Sequence, residues 1–413
     1  MFKKLKMSYS YDDVTLVPAY SELTSRSEAK TEQYGYSLPI IGSCMDTLGY
    51  KIMEVLNFEN IPFIAHRAFK SAEEQFKYFT NSDNVVESTI PIHYKNIWFA
   101  VGSVGKYKQW ILWLYFHGVR NFCVDMAHGD SKACIDTIKF IKELDRHEPI
   151  KDNNLENQHV LSTKNNPIHV IAGNVATAEG FKRLQKAGAD GIRVGIASGS
   201  ICSTNIETGM GLPILTSIIE CAKVKKNTWL IADGGIRSAG DIAKAMYFGA
   251  DFCMLGKLLA ATDLAEGKPY NKNMDEIDIE NIIYPENFDF IVAEKISNDV
   301  INKKITDKFD KSKYYIEAEN NTVMYKGYHG MASRSARNNL LSYAGVEGAE
   351  GLLKYTGTTE QFILDTKLRL QSALSYGGAH NWNEFRKNVN AYLRTSSANT
   401  AAGIHLDVIT KLH

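Results

Sequence analysis

Eight short runs of apolar, β-branched and aromatic residues recur along the chain: PIIGSC (39–44), IPFIAH (61–66), IWFAVGSV (97–104), NFCVDMA (121–127), HVIAGNV (169–175), GIRVGIA (191–197), WLIADGG (229–235) and FCMLGK (252–257). Each ends in small or polar residues, and most are followed by apolar positions at helical spacing, as in AEGFKRLQKAGAD (178–190) and SAGDIAKAMYFGAD (238–251). Runs of this length bounded by turn residues read as buried strands, and eight strand–helix units are the number that closes a parallel barrel. The expected fold is therefore α/β, a TIM (β/α)8 barrel, with residues 1–413 as a single domain. Polar residues gather where the strands are expected to end, at Asp46, His66, Asp125, Asn174 and Asp233. That is the end of the barrel where enzymes of this architecture build their sites.

Two segments break the pattern. Residues 151–166 are polar and Asn-rich and read as a surface insertion, whereas 262–322 are rich in tyrosine and charge. The second segment has enough Ile, Phe and Tyr to form a small subdomain or lid on the catalytic face, with a solvated excursion as the other reading, and it leads into 323–357, a flap over the same face. Lysine plus arginine equals aspartate plus glutamate at 47 each, so no global field selects nucleic acid or an anionic membrane. Phosphate affinity has to come from a local cradle. No stretch approaches the roughly 20 apolar residues that span a bilayer, and the basic start MFKKLKMSYSYDDV lacks an apolar run. The six cysteines lack CxxC spacing, which disfavours zinc and disulfide frameworks. A reduced, cytoplasmic protein without a membrane or nucleic-acid partner is the expectation.

Two loops carry chemistry. GIASGSICST (195–204) follows a strand with small residues whose N–H groups can approach a phosphate, Ser200 among them. A cysteine there, Cys202, would have a lowered pKa and some thiolate, although a cysteine that merely packs is an equal reading of the residue alone. Packing is the preferred reading for Cys123, Cys134, Cys221 and Cys253. In IADGGIRSAGDIAKAM (231–246), Asp233 can accept from a ribose diol while Gly234 and Gly235 face an anion; capping of the following helix is the alternative for Asp233. Gly256 and Lys257 end the eighth run where a second phosphate contact would sit, unless Lys257 is a solvated surface lysine.

Taken in order, PIIGSCMDT, VDMAHGDS, AGNVAT, GIASGSICST, IADGGIRSAGDIAKAMYFGAD, YKGYHGMAS and LQSALSYGGA resemble the IMP dehydrogenase/GMP reductase family over most of residues 9–380. The resemblance implies a homotetrameric barrel that binds a purine nucleoside monophosphate and exchanges hydride between its C2 and a nicotinamide cofactor. By position it makes Cys202 the covalent nucleophile, Thr204 and Glu347 a proton relay, and Arg67 the counterpart of the reductases' active-site lysine. Substrate contacts fall on Ser200, Asp233, Gly234, Gly235, Gly256, Lys257, Tyr328, Gly330, Met331, Ala332 and Gly348. Cofactor contacts fall on Ser25, Arg26, Arg67, Asp125, Met126, Ala127, Ser372 and Ser375. A monovalent cation, potassium, would lie at Ala197, Gly199, Cys202 and Asn205, where alanine and asparagine replace the family's glycine and basic residue.

Within the family the chain resembles GMP reductase more than IMP dehydrogenase. Most dehydrogenases insert paired CBS domains after the second barrel unit, whereas here AHRAFKS passes to IWFAVGSV across residues 72–96. Dehydrogenases also carry an Arg-Tyr pair that activates water, and GMASRSARNNLLSYAGVE (330–347) has none. The reading this implies is NADPH-dependent reductive deamination of GMP or dGMP, with NADH as the other cofactor choice. IMP dehydrogenase activity and a catalytically silent nucleotide-binding barrel are the alternatives. Arginine at position 67 holds its proton too tightly to serve as an acid near neutral pH.

Overall fold

The computed structural model describes residues 5–81, 96–144, 167–199, 204–288, 318–329 and 350–395, with positions 291, 292, 295 and 398. After a first strand β1 (Val14–Val17), the eight expected runs each contribute one strand. These are β2 (Ile40–Gly42), β3 (Phe63–Ala65), β4 (Ile97–Val101), β5 (Asn121–Asp125), β6 (His169–Val175), β7 (Gly191–Val194), β8 (Trp229–Asp233) and β9 (Phe252–Leu255). They pair in parallel in sequence order, and β2 closes on β9 through Ile40 opposite Cys253. The expected barrel is present.

Alternation along each strand separates two apolar layers. Ile41, Ile64, Trp98, Ala100, Cys123, Ile171, Ile231, Phe252 and Met254 fill the barrel, whereas neighbours such as Phe63, Phe99, Phe122, Val170 and Leu230 face the helices. Full burial of side chains of this size contributes about 1.5–3 kcal/mol each, which explains why both layers hold register. The helices follow the sequence signals. Thr177 caps the helix Ala178–Ala187 by accepting from Gly180 N, and Gly188 ends it in the left-handed region at φ 105°. Ser238 caps the helix Ala239–Tyr247 by accepting from Asp241 N.

The N-terminal end of the barrel is sealed by aromatic rings. A tight hairpin with Gln33 bridged to Tyr36 carries Tyr34 and Tyr36 beneath the strands. Tyr36 lies 5.7 Å from Phe252 and 6.4 Å from Trp98, and Tyr34 lies 5.6 Å from Trp229. Beside them, buried Asp251 takes Lys225 Nζ at 2.7 Å, Leu230 N at 2.8 Å and Tyr34 OH at 3.2 Å, so its charge is fully engaged.

Beyond the barrel, part of the 262–322 insertion joins the flap in one antiparallel sheet. In it β10 (Pro269–Tyr270) pairs with β11 (Tyr325–His329), and β11 with β12 (Glu350–Lys354). Lys326 on β11 is buried, with its Nζ on Asp263 O at 3.2 Å, and burial lowers its pKa to about 8. A last strand, β13 (Asn390–Leu393), pairs antiparallel with β1. The 151–166 insertion lies outside the described residues, as do 296–317.

Candidate active site

Arg193 occupies the inward position of β7, in line with Asp125 and Gly173 across the sheet. It fits because Gly173 has no side chain: a Cβ there would lie 2.6 Å from Arg193 Cβ. The guanidinium donates through Nη1 to Asp125 Oδ1 at 2.6 Å, and through Nη2 and Nε to Asp233 Oδ2 at 2.9 and 3.1 Å. Asn174 Nδ2 reaches the same Asp233 oxygen at 2.7 Å and Gly195 O at 2.8 Å. The other oxygen of Asp125 takes Arg67 Nε at 3.0 Å, and Arg67 Nη1 reaches Tyr107 OH at 2.8 Å. One continuous lattice, Tyr107–Arg67–Asp125–Arg193–Asp233–Asn174, therefore lines the C-terminal mouth of the barrel.

Electrostatics follows from this pairing. Burial pushes the Asp125 carboxyl up, but the Arg193 and Arg67 guanidiniums outweigh it and hold the group at about 2. Asp125 is thus a fixed carboxylate, with no proton to give at neutral pH. Burial likewise disfavours charge on Arg67, yet Asp125 and Tyr107 raise its pKa above the ordinary value, so it stays cationic. The thiols of Cys44 and Cys123 sit against this lattice, and burial pushes both up, the second to about 12. Cys134 and Cys221 are also held at about 12 by burial, and burial raises Cys253 as well. Among the described residues no cysteine has the environment of a reactive thiolate.

Next to the lattice lies a small-residue cradle. Ser198 Oγ donates to Asp233 O at 2.7 Å, and Gly234 is in the left-handed region at φ 98°. A Cβ at Gly234 would sit 2.8 Å from Ser198 C and 2.9 Å from Gly199 N, so only glycine lets the β7 and β8 loops touch. Asp233 does not cap the following helix, because Ser238 fills that place. On the far side of the mouth, Tyr328 OH lies 3.6 Å from Met45 Sδ, beside Gly256. The next residue, His329, contacts Asp46 Oδ2 through Nε2 at 2.9 Å, and that hydrogen bond raises its pKa. The insertion sheet is thereby docked on the loop after β2.

Residues 8–277 match the family model described as "IMP dehydrogenase / GMP reductase domain". The chain belongs to this family. A Leishmania major protein named GMP reductase is 42% identical over 158 residues, 38% of this chain and 28% of that protein. An inosine-5'-monophosphate dehydrogenase from Chlorobaculum parvum is 33% identical over 283 residues, 68% of this chain and 46% of that protein. A GMP reductase from Streptococcus pyogenes serotype M5 is 28% identical over 385 residues, 92% of this chain and 93% of that protein. The chain thus spans less than half of the first two relatives and nearly all of the third.

Measured against the sites that the family resemblance implies, the structure gathers Arg67, Asp125 and Asp233 into the lattice, with Gly234 and Gly235 alongside. Met126 is half-buried, bonded through its backbone to Gly173 and Asn174, and Ala127 is exposed. Thr204 opens the helix Thr204–Thr208, and Lys257 is exposed at the start of the helix Lys257–Ala260. Arg26 Nη1 meets Ser372 Oγ at 3.1 Å, whereas Ser25 bonds within its own turn and Ser375 lies further along the same helix as Ser372. Ala197 and Asn205 both lie against Gly211, which brings the two ends of their loop together. Ser200, Cys202, Gly330, Met331, Ala332, Glu347 and Gly348 lie outside the described residues. Sequence reasoning missed Arg193, hidden inside an apolar run. The signal was available, since a lone charge on a strand buried on both faces must find counter-ions.

Proposed function

We propose that this chain is an oxidoreductase of GMP reductase type, converting GMP or dGMP with NADPH to the inosine nucleotide, ammonia and NADP+. The observation that supports this direction is the shortness of the connection between β3, ending at Ala65, and β4, starting at Ile97, which holds the helix Ala72–Thr80 among the described residues. Most dehydrogenases of the family carry their paired regulatory domains there. Likeness to a reductase over 92% of this chain points the same way.

In this reading the Cys202 thiolate attacks C2 of the guanine, and the 2-amino group leaves as ammonia once protonated. Bound NADPH supplies the hydride that C2 then accepts, after which the C–S bond breaks and the thiolate is regenerated. Protons are assigned to Thr204 and Glu347, a role for which Asp125, a fixed carboxylate, and Arg67, a fixed cation, are not suited. The nucleotide's phosphate rests on the Ser200 loop with Gly234, Gly235, Gly256 and Lys257, and its ribose diol on Asp233. Its base lies against Tyr328, Gly330, Met331, Ala332 and Gly348.

The dinucleotide is assigned to Asp125, Met126, Ala127 and Arg67 at the nicotinamide end, and to Ser25, Arg26, Ser372 and Ser375 at the other. The cation and hydroxyl that Arg26 and Ser372 bring within hydrogen-bond distance suit a phosphate. Potassium is assigned to the loop of Ala197, Gly199, Cys202 and Asn205, and the assembly to a cytoplasmic homotetramer.

The test is paired. GMP and dGMP with NADPH, and IMP with NAD, are each followed at the nicotinamide absorbance band. Loss of NADPH with guanine nucleotide is expected; NADH formation from IMP alone would reverse the direction and make the chain a dehydrogenase. We further propose that the 262–322 segment covers the nucleotide end of the mouth, because it joins the flap sheet docked on Met45 and Asp46. Limited proteolysis of this segment should slow when GMP is added, and equal cleavage rates with and without GMP would assign it a peripheral role.

A further inference from the structure

Arg67 is held by more than its carboxylate. Its Nε is on Asp125 and its Nη1 on Tyr107 OH, with the guanidinium 5.6 Å from the centre of the Tyr107 ring. Tyr107 is itself braced: its ring lies 5.6 Å from that of Trp110, whose Nε1 donates to Gln75 Oε1 at 2.9 Å. Gln75 is fully buried and donates through Nε2 to His66 O at 2.9 Å and Ala100 O at 3.0 Å, so it joins the C-terminal ends of β3 and β4. Gly102, just past β4, leaves the room this requires, because a Cβ there would collide with the Tyr107 ring. The chain Gln75–Trp110–Tyr107 thus runs from the barrel frame to one edge of Arg67. The Nη2 of Arg67 has no protein acceptor among the described residues.

A guanidinium has three donor edges and a long, entropically costly stem, so a single carboxylate leaves its orientation loose. A second anchor fixes it. We propose that Tyr107 is a positioning residue: with Asp125 it pins two edges of Arg67 and leaves the third, Nη2, as a preoriented donor to an acceptor oxygen of the dinucleotide. This rests on the reading above that the site takes a dinucleotide, but not on the direction of the reaction.

Tyr107→Phe removes the hydroxyl and keeps the ring packed on Trp110 and Gly102. It should weaken NADPH binding, measured by nucleotide fluorescence without turnover, by about 10-fold, the scale of a hydrogen bond to a charged group. KM for NADPH should rise in step, with GMP affinity and melting temperature unchanged. Arg67→Met should lose at least as much, and the double variant should bind no worse than Arg67→Met alone. NAD serves as a second probe, so a protein that binds dinucleotide but fails to reduce GMP still tests the proposal. Unchanged dinucleotide affinity in Tyr107→Phe, additive losses in the double variant, an equal loss of GMP affinity, or no dinucleotide binding by the wild-type chain would each overturn it.

Discussion

A Cys202→Ser protein is expected to fold, to bind GMP as the parent does, and to turn over at least about 1000-fold more slowly. A serine hydroxyl has no thiolate-like population at neutral pH, so the covalent path through C2 closes while the groups that hold phosphate and ribose stay in place. No other described cysteine can substitute, because Cys44, Cys123, Cys134, Cys221 and Cys253 are buried with pKa values pushed up. Steady-state rates and calorimetric GMP binding on the same preparation make the check. Turnover within a few fold of the parent would end the covalent mechanism, and loss of binding together with turnover would mean that Cys202 has a structural role instead.

The second large effect is expected at Arg193. Replacement by methionine removes the cation shared by Asp125 and Asp233, both of which have little exposure, and should cost on the order of 3–5 kcal/mol of folding stability. Its dependence on pH can be signed. In the parent, Asp125 is held at about 2, below its unfolded value, so it contributes stability that is present above about pH 4 and lost as pH falls toward 2. In Arg193→Met the same carboxylate keeps only Arg67, and burial then favours its neutral form. The deficit relative to the parent should therefore shrink as pH is lowered from 7 toward 4. Denaturant unfolding at three pH values across that range measures it. A deficit that is constant with pH would mean that packing around Gly173, and not the unpaired charge, carries the loss.

The strands were legible because burial on both faces forces apolar runs of strand length, and all eight barrel strands fall inside those runs. The helix ends were legible for a similar local reason, as the Thr177 and Ser238 caps illustrate. Side-chain partnerships across the barrel were not. Arg193 and Asp125 are 68 positions apart in sequence, and only the closed sheet, with a glycine between them, brings them together. Tyr107 was invisible for the same reason, standing at the start of the helix Tyr107–Phe116 where tyrosine usually signals nothing. The pairing that carries part of the insertion into the flap sheet, β10 with β11, was not legible, because a two-residue strand has too little hydrophobic pattern to announce its partner.

The ring-packed floor formed by Tyr34, Tyr36, Trp98, Trp229 and Phe252 gives the barrel a traffic rule. With that end closed by rings and the interior above it filled by Ile41, Ile64, Ala100, Cys123, Ile171 and Met254, the charged upper layer faces the C-terminal mouth alone. Whatever enters toward Arg193 must leave by the same doorway. On the proposed function, nucleotide, dinucleotide and products would all arrive and depart across that one threshold.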